Sequence, residues 1–139
     1  GGGGGGSLRG VTAETQRRRM LGELVIKCAD TSNVFKPLPA ARAWAVRITE
    51  EFFRQGDLER SLGMSVTPVC DRRTASRVGL QRGFAAFIAP LHCGLAALLP
   101  GLAPIATRLA ETRAMWDACD PDRGLDDEAQ ATLASGALG

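Results

Sequence analysis

The sequence predicts an all-α fold, a helical bundle, from three observations. In every stretch that reads as an element, apolar residues recur at spacings of three and four, the mark of a helix with one buried face. No stretch alternates apolar and polar residues with the period of a half-buried strand. Proline and glycine punctuate the chain between those stretches, at Pro37, Pro39, Gly63, Pro100 and Gly101, where helices start and stop. At 139 residues the chain is long enough for one domain with a real core.

Gly1 to Gly6 have no side chains to bury, and residues 1–16 read as a flexible Gly-rich linker. In Arg17-Arg18-Arg19, a phosphate or membrane patch is weighed against the solvated face of a starting helix, and the solvated face is preferred. From Met20 to Ala29 only Glu23 and Lys27 are charged, and Leu21, Leu24, Val25 and Cys28 stand at i, i+3, i+4 and i+7. That spacing predicts a buried helical stripe. Asp30-Thr31-Ser32-Asn33 breaks it with residues that favour caps and turns, and Pro37 and Pro39 stop any continuation. Asp30 has two readings. A lone aspartate at a helix end serves as a cap or turn residue. Held at the edge of a core, its hard anionic oxygen instead suits zinc or magnesium.

Leu38 to Leu62 reads as a long helix with Pro39 in its first turn, where the missing N–H costs nothing. Trp44, Ile48 and Phe52 recur every four residues on one face, and such an aromatic stripe is more often core than pocket. Arg47, Glu50, Glu51 and Arg54 supply its polar side. Gly56 costs about 1 kcal/mol against alanine inside a helix, so it marks a bend or a close packing point. Gly63 ends the helix, and Met64 to Ser76 reads as an ordered loop. A second long apolar helix starts at Arg77, with Leu80, Phe84, Phe87, Ile88, Leu91, Leu95 and Leu98 at helical spacing. Gln81 shares a face with Phe84 and Ile88, so its amide needs a partner, either a backbone group or a ligand. Residues 83–107 contain no Lys, Arg, Asp or Glu, but their prolines and glycines predict two buried helices with a turn near Pro100-Gly101 rather than a membrane span. Ile105 to Cys119 is the last amphipathic helix, and residues 121–139 form an acidic, Ala-rich tail expected to be disordered.

Composition narrows the function classes. A net charge of +2 gives no argument for nucleic acid. Residues 1–80 hold 13 Lys or Arg against 8 acids, an excess that suits an anionic substrate or, equally, solvated helix faces. Cys28, Cys70, Cys93 and Cys119 never form a Cys-x-x-Cys pair, and His92 stands alone, which excludes a zinc knuckle. Scattered cysteines suggest reduced thiols and a cytoplasmic location, and the N-terminus has no apolar signal segment. His92 is expected to have a surface or packing role. The chain does not begin with Met and is expected to be a piece of a longer protein.

Several motifs stand in order along about residues 20–120. They are Lys27-Cys28-Ala29-Asp30 with Ser32-Asn33, Trp44, Glu51-Phe52-Phe53-Arg54-Gln55-Gly56-Asp57, Pro68, Cys70-Asp71-Arg72, Gln81 and Gly83-Phe84. Together they resemble the class I 3',5'-cyclic-nucleotide phosphodiesterases. The resemblance implies the C-terminal portion of an HD-type catalytic domain, over residues 17–120, that hydrolyses cyclic AMP or cyclic GMP at a two-metal site of zinc and magnesium. It implies Asp30 as a metal ligand and Gln81 as the group bonding the purine edge. Phe84 and Ile48 would pinch the base, and Asn33, Trp44, Phe52 and Val69 would line the pocket. No catalytic acid or base is carried over. Two histidines and another aspartate of the family's metal site, and a further proton-donating histidine, come from an earlier part of the domain. That N-terminal part is therefore an implied partner, without which the chain is expected to be inactive. The chain departs from the family at Ala41, Ala45 and Leu80, and is one residue short between Phe84 and Pro90. The competing reading is a non-catalytic helical interaction module derived from such an enzyme.

Overall fold

The computed structural model describes residues 5–120 and 125–135. The described residues form five α-helices and no strand: α1 Gly5–Asp30, α2 Leu38–Ser61, α3 Arg77–Leu98, α4 Ala103–Ala118 and α5 Asp126–Ala134. Short 3-10 turns at Ser32–Phe35, Pro68–Cys70 and Pro100–Leu102 join them. The chain divides into two compact units, residues 1–32 and 33–139.

The first unit is α1 and the two residues after it. The stretch expected to be a flexible linker is helical from Gly5, and residues 1–4 lie outside the described residues. Once a helix has nucleated, each added residue gains one hydrogen bond, so helices outrun the segment that starts them. Arg18 pairs with Glu14 at 2.8 Å and Arg19 with Glu23 at 2.9 Å, both exposed and one turn apart, as a solvated face requires. The predicted buried stripe is corrected. Cys28 is buried and burial pushes its thiol up, but Leu21 and Leu24 are only half-buried and Val25 is exposed. A unit of one helix has no second surface of its own to cover Val25.

In the second unit α2 starts on Pro37 with Pro39 inside its first turn. It ends in paired hydrogen bonds, Gly63 N to Arg60 O at 3.1 Å and Met64 N to Glu59 O at 2.9 Å. Both need the left-handed backbone that Gly63 adopts, with φ of 69°. Ser76 caps α3, its hydroxyl accepting from Gly79 N at 2.8 Å. α3 runs through Pro90, whose face is exposed. The predicted turn at Pro100-Gly101 separates α3 from α4, and no described helix is long and apolar enough to cross a membrane.

Two apolar clusters hold this unit together. Val34, Ile88, Ala89 and Leu109 join the Ser32–Phe35 turn to α3 and α4. His92 belongs to this region and has the expected packing role. It is buried, its Nδ1 lies 3.0 Å from Ile88 O, and its ring meets Phe35 edge-on with centroids 5.1 Å apart. Ala45, Val46, Val78, Trp116, Leu125 and Ala129 form the second cluster. The last two belong to the expected disordered tail, which instead contains α5, so Ile105–Cys119 does not contain the final helix. Leu125, directly before the acidic run Asp126-Asp127-Glu128, anchors α5 together with Ala129, and Arg42 pairs with Glu128 to tie it to α2. Residues 121–124 and 136–139 lie outside the described residues. Arg82 fastens α3 to the end of α4, donating to the carbonyls of Trp116 at 2.9 Å, Asp117 at 3.1 Å and Cys119 at 2.8 Å. The apolar run of α3 is not wholly buried as predicted: Phe87 and Leu98 face out.

Candidate functional site

The buried face of α2 is Ala41, Ala45, Val46, Thr49, Glu50, Phe53 and Gly56. The aromatic stripe lies beside it rather than in it. Trp44 is 48% exposed, and Ile48 and Phe52 are half-buried. This corrects the composition-based preference for core and leaves a partly open apolar strip along α2.

Two contacts bring the neighbouring elements to that strip. The first is at Gly56, where an added Cβ would stand 2.7 Å from the Cys70 carbonyl carbon and closer still to its oxygen. Gly56 is thus a close packing point within the continuous helix α2. The contact seats the Pro68–Cys70 turn, with Val69 47% exposed in it, on α2 at Gly56, one turn after Phe52. The turn is also braced by Arg60 on Asp71 at 2.8 Å. The second contact is at the start of α3. Arg77 donates to Thr49 Oγ1 at 2.8 Å and to Glu50 Oε2 at 2.7 Å, all three residues being buried. One turn further along α3 is Gln81, and Phe84 follows.

Asn33 lies half-buried in the Ser32–Phe35 turn, which packs by Val34 against the middle of α3. Asn33, Trp44, Ile48, Phe52, Val69, Gln81 and Phe84 all lie in the second unit, on the Ser32–Phe35 turn, α2, the Pro68–Cys70 turn and α3. Asp30 ends α1 in the other unit and is exposed. Among the described residues no group of three His, Cys, Asp or Glu gathers as a metal site.

Gln81 is 6% exposed, and among the described residues no group hydrogen-bonds its amide. Phe84, 36% exposed, stands on the same side of α3. Of the two partners weighed for the amide, the backbone group is not found. A partly open apolar strip and a directional amide in the same unit suit a planar heterocycle.

The sequence puts Glu50 on the polar side of α2, and the structure overturns this. Its side chain is 5% exposed and meets Arg77, Arg72 Nη2 at 3.4 Å and Arg54 Nε at 3.7 Å. Burial pushes the Glu50 carboxyl up, but the Arg77 hydrogen bond and the Arg72 charge outweigh it, leaving the group below the usual carboxylate range. Arg77 and Arg72 also lie over the Phe53 ring, 4.8 and 5.3 Å from its centroid. The signal was present in the spacing. Glu50 stands four after Val46 and three before Phe53, so a carboxylate falls inside the apolar stripe and must be paired.

A sequence model of the 3'5'-cyclic nucleotide phosphodiesterase family matches residues 7–109. The chain is 51% identical over 65 residues, 47% of its length, to 3',5'-cyclic-AMP phosphodiesterase 4C of Mus musculus, covering 10% of that protein. It is 37% identical over 135 residues, 91% of its length, to a probable 3',5'-cyclic phosphodiesterase of Caenorhabditis elegans, covering 20% of it. To a 3',5'-cyclic-AMP phosphodiesterase of Drosophila melanogaster, isoform F, it is 40% identical over 122 residues, 84% of its length and 18% of the relative. The chain thus spans a fifth or less of these relatives. The family match over most of the second unit agrees with the all-helical architecture and with the motifs on α2 and α3, and the chain belongs to the 3',5'-cyclic nucleotide phosphodiesterase family.

Proposed function

We propose that the chain is part of a cytoplasmic enzyme that hydrolyses 3',5'-cyclic AMP or cyclic GMP to the 5'-nucleotide, and that its second unit carries the base-binding wall. The Gln81 amide carries this reading. Gln81 is a largely buried residue, yet its amide is not among the buried polar atoms left without a partner, so it still reaches solvent and is open to take up hydrogen bonds from a ligand. In this reading Gln81 bonds the purine edge and Ile48 and Phe84 hold the base by its faces. Asn33, Trp44, Phe52 and Val69 line the remainder. The names of the relatives support the substrate class.

The residues present do not make a complete metal centre. One exposed carboxylate cannot hold two ions, and no second donor cluster exists among the described residues. Asp30 is proposed as one ligand of a divalent zinc and magnesium centre completed by an earlier part of the same catalytic domain. Bound there, the metals would supply positive charge at phosphorus. The present chain alone is then inactive toward cyclic nucleotides.

The test uses the full-length enzyme. Gln81→Ala should raise KM by roughly 5- to 150-fold, the equivalent of about 1–3 kcal/mol, with little change in melting temperature. A lowered melting temperature with a parental KM would remove Gln81 from the site and the reading with it.

A further inference from the structure

We propose that Arg77 and Glu50 are positioning residues, a buried two-point grip that fixes the register of α2 against α3 and thereby the separation of Ile48 from Phe84. Its effect on activity rests on the base-binding reading above, whereas the register is a property of the fold.

Arg77 is the first residue of α3, and its guanidinium reaches two consecutive residues of α2, Thr49 through Nη1 at 2.8 Å and Glu50 through Nη2 at 2.7 Å. One contact would set the height of α2 and leave it free to roll. Two contacts from one planar fork to adjacent residues set both height and rotation. The acceptors are themselves fixed. The Thr49 hydroxyl donates to Ala45 O at 2.7 Å, and the second Glu50 oxygen is engaged by Arg72 at 3.4 Å. The fork lies over the Phe53 ring, 4.8 Å from centroid to guanidinium carbon.

The apolar cluster shared by these helices, with Ala45 and Val46 on α2 and Val78 on α3, adds packing but no directional contact. The grip is also close to the proposed wall. Thr49 adjoins Ile48, Glu50 is two residues before Phe52, and Arg77 is one turn before Gln81. A roll or slide at Arg77 therefore moves both jaws of the base clamp. A buried ion pair is weak evidence for stability but is well suited to specifying register.

The test is made on the full-length enzyme with Arg77→Met and Glu50→Leu combined. An apolar pair of similar size is often neutral for stability, so the melting temperature should stay near the parent's. KM should rise at least about tenfold with kcat changing much less, since a misplacement of ~1 Å is enough for effects of this size. Spin labels replacing Arg47 and Ala86, both exposed on α2 and α3, report the register directly. They are introduced as unnatural amino acids because Cys93 is exposed and would take a thiol label. Their distance distribution should shift or broaden in the double variant. Arg77→Lys keeps the charge and one contact. It should show the same changes in smaller degree at parental melting temperature, and it stands in if the double variant does not fold. A parental distance distribution overturns the proposal whatever the activity, and a shifted distribution with parental KM overturns the positioning role. An inactive parent enzyme would sink the base-binding reading, while the distances would still decide the register.

Discussion

Gly56→Ala should destabilise the second unit although alanine is the better helix former. On propensity the change gains about 1 kcal/mol in a helix interior. Against this stands the Cys70 carbonyl, whose carbon would lie 2.7 Å from the new Cβ, with Cys70 Cβ at 3.1 Å. Neither atom belongs to the free end of a side chain. The turn that carries them is tied by Cys70 N to Thr67 O at 2.8 Å and by Arg60 to Asp71 at 2.8 Å, and Cys70 is 3% exposed. Relief requires the whole Pro68–Cys70 turn to lift from α2. Overpacking of this kind costs about 1–3 kcal/mol, and backbone atoms in a tied turn favour the upper half of that range. The net loss is about 1–2 kcal/mol, or a melting temperature lower by roughly 4–8 °C for a unit of this size. Thermal and urea unfolding of the chain measure it, with Gly94→Ala as the control. Nothing lies within 4 Å of a Cβ at Gly94, so there the propensity gain should appear undiminished and raise the melting temperature. Should Gly56→Ala melt at or above the parent, the close approach of α2 to the turn would be wrong, and with it the placement of Val69.

Leu125→Ala should cost about 2–5 kcal/mol, because Leu125 is 1% exposed in the cluster with Trp116, Val46 and Val78. An unchanged melt, with α5 no more open to protease, would refute the docking of α5. Glu50 gives an acid dependence of known sign. Its carboxyl is held below its ordinary range in the folded chain and titrates near about 4.3 when unfolded, so between those values the unfolded state binds more protons. Its contribution is present at neutral pH and is lost as pH falls through the folded value. Denaturation curves of Glu50→Gln below about pH 5 should therefore be flatter in pH than the parent's, and equal slopes would count against the pairing. Phe87 and Leu98, 82% and 68% exposed on α3, should make the isolated chain self-associate and bind an apolar dye. A monodisperse chain with no dye binding in light scattering and fluorescence would contradict this.

Helix positions were legible because their causes are local. Pro37, Pro39 and Gly63 bound α2, and the turn near Pro100-Gly101 separates α3 from α4, as periodicity and punctuation predict. What covers each face was not legible, since that depends on partners distant in sequence. Val25 and Phe87 have the spacing of core residues and lie exposed, whereas Leu125, in an acidic stretch without strong periodicity, is buried. α5 leaves no sequence signal for that reason: one leucine and one alanine anchor it, and neither forms a pattern.

The candidate site divides along the same line. Gln81 and Phe84 enter the candidate site through motif order, and an amide on an apolar face is a conflict visible in a single helix. Glu50 and Arg77 form the same kind of conflict split between two helices. A carboxylate on the inner stripe of α2 and an arginine at the first buried position of α3 each look like a solvated charge when read alone. Only folding brings them within 2.7 Å and makes each the reason the other can be buried. Removing one partner therefore strands the other. A single substitution that removes the charge at either residue mixes the cost of an unpaired charge with the loss of register, whereas the apolar double replacement, or a change such as Arg77→Lys that keeps the charge, separates stability from position.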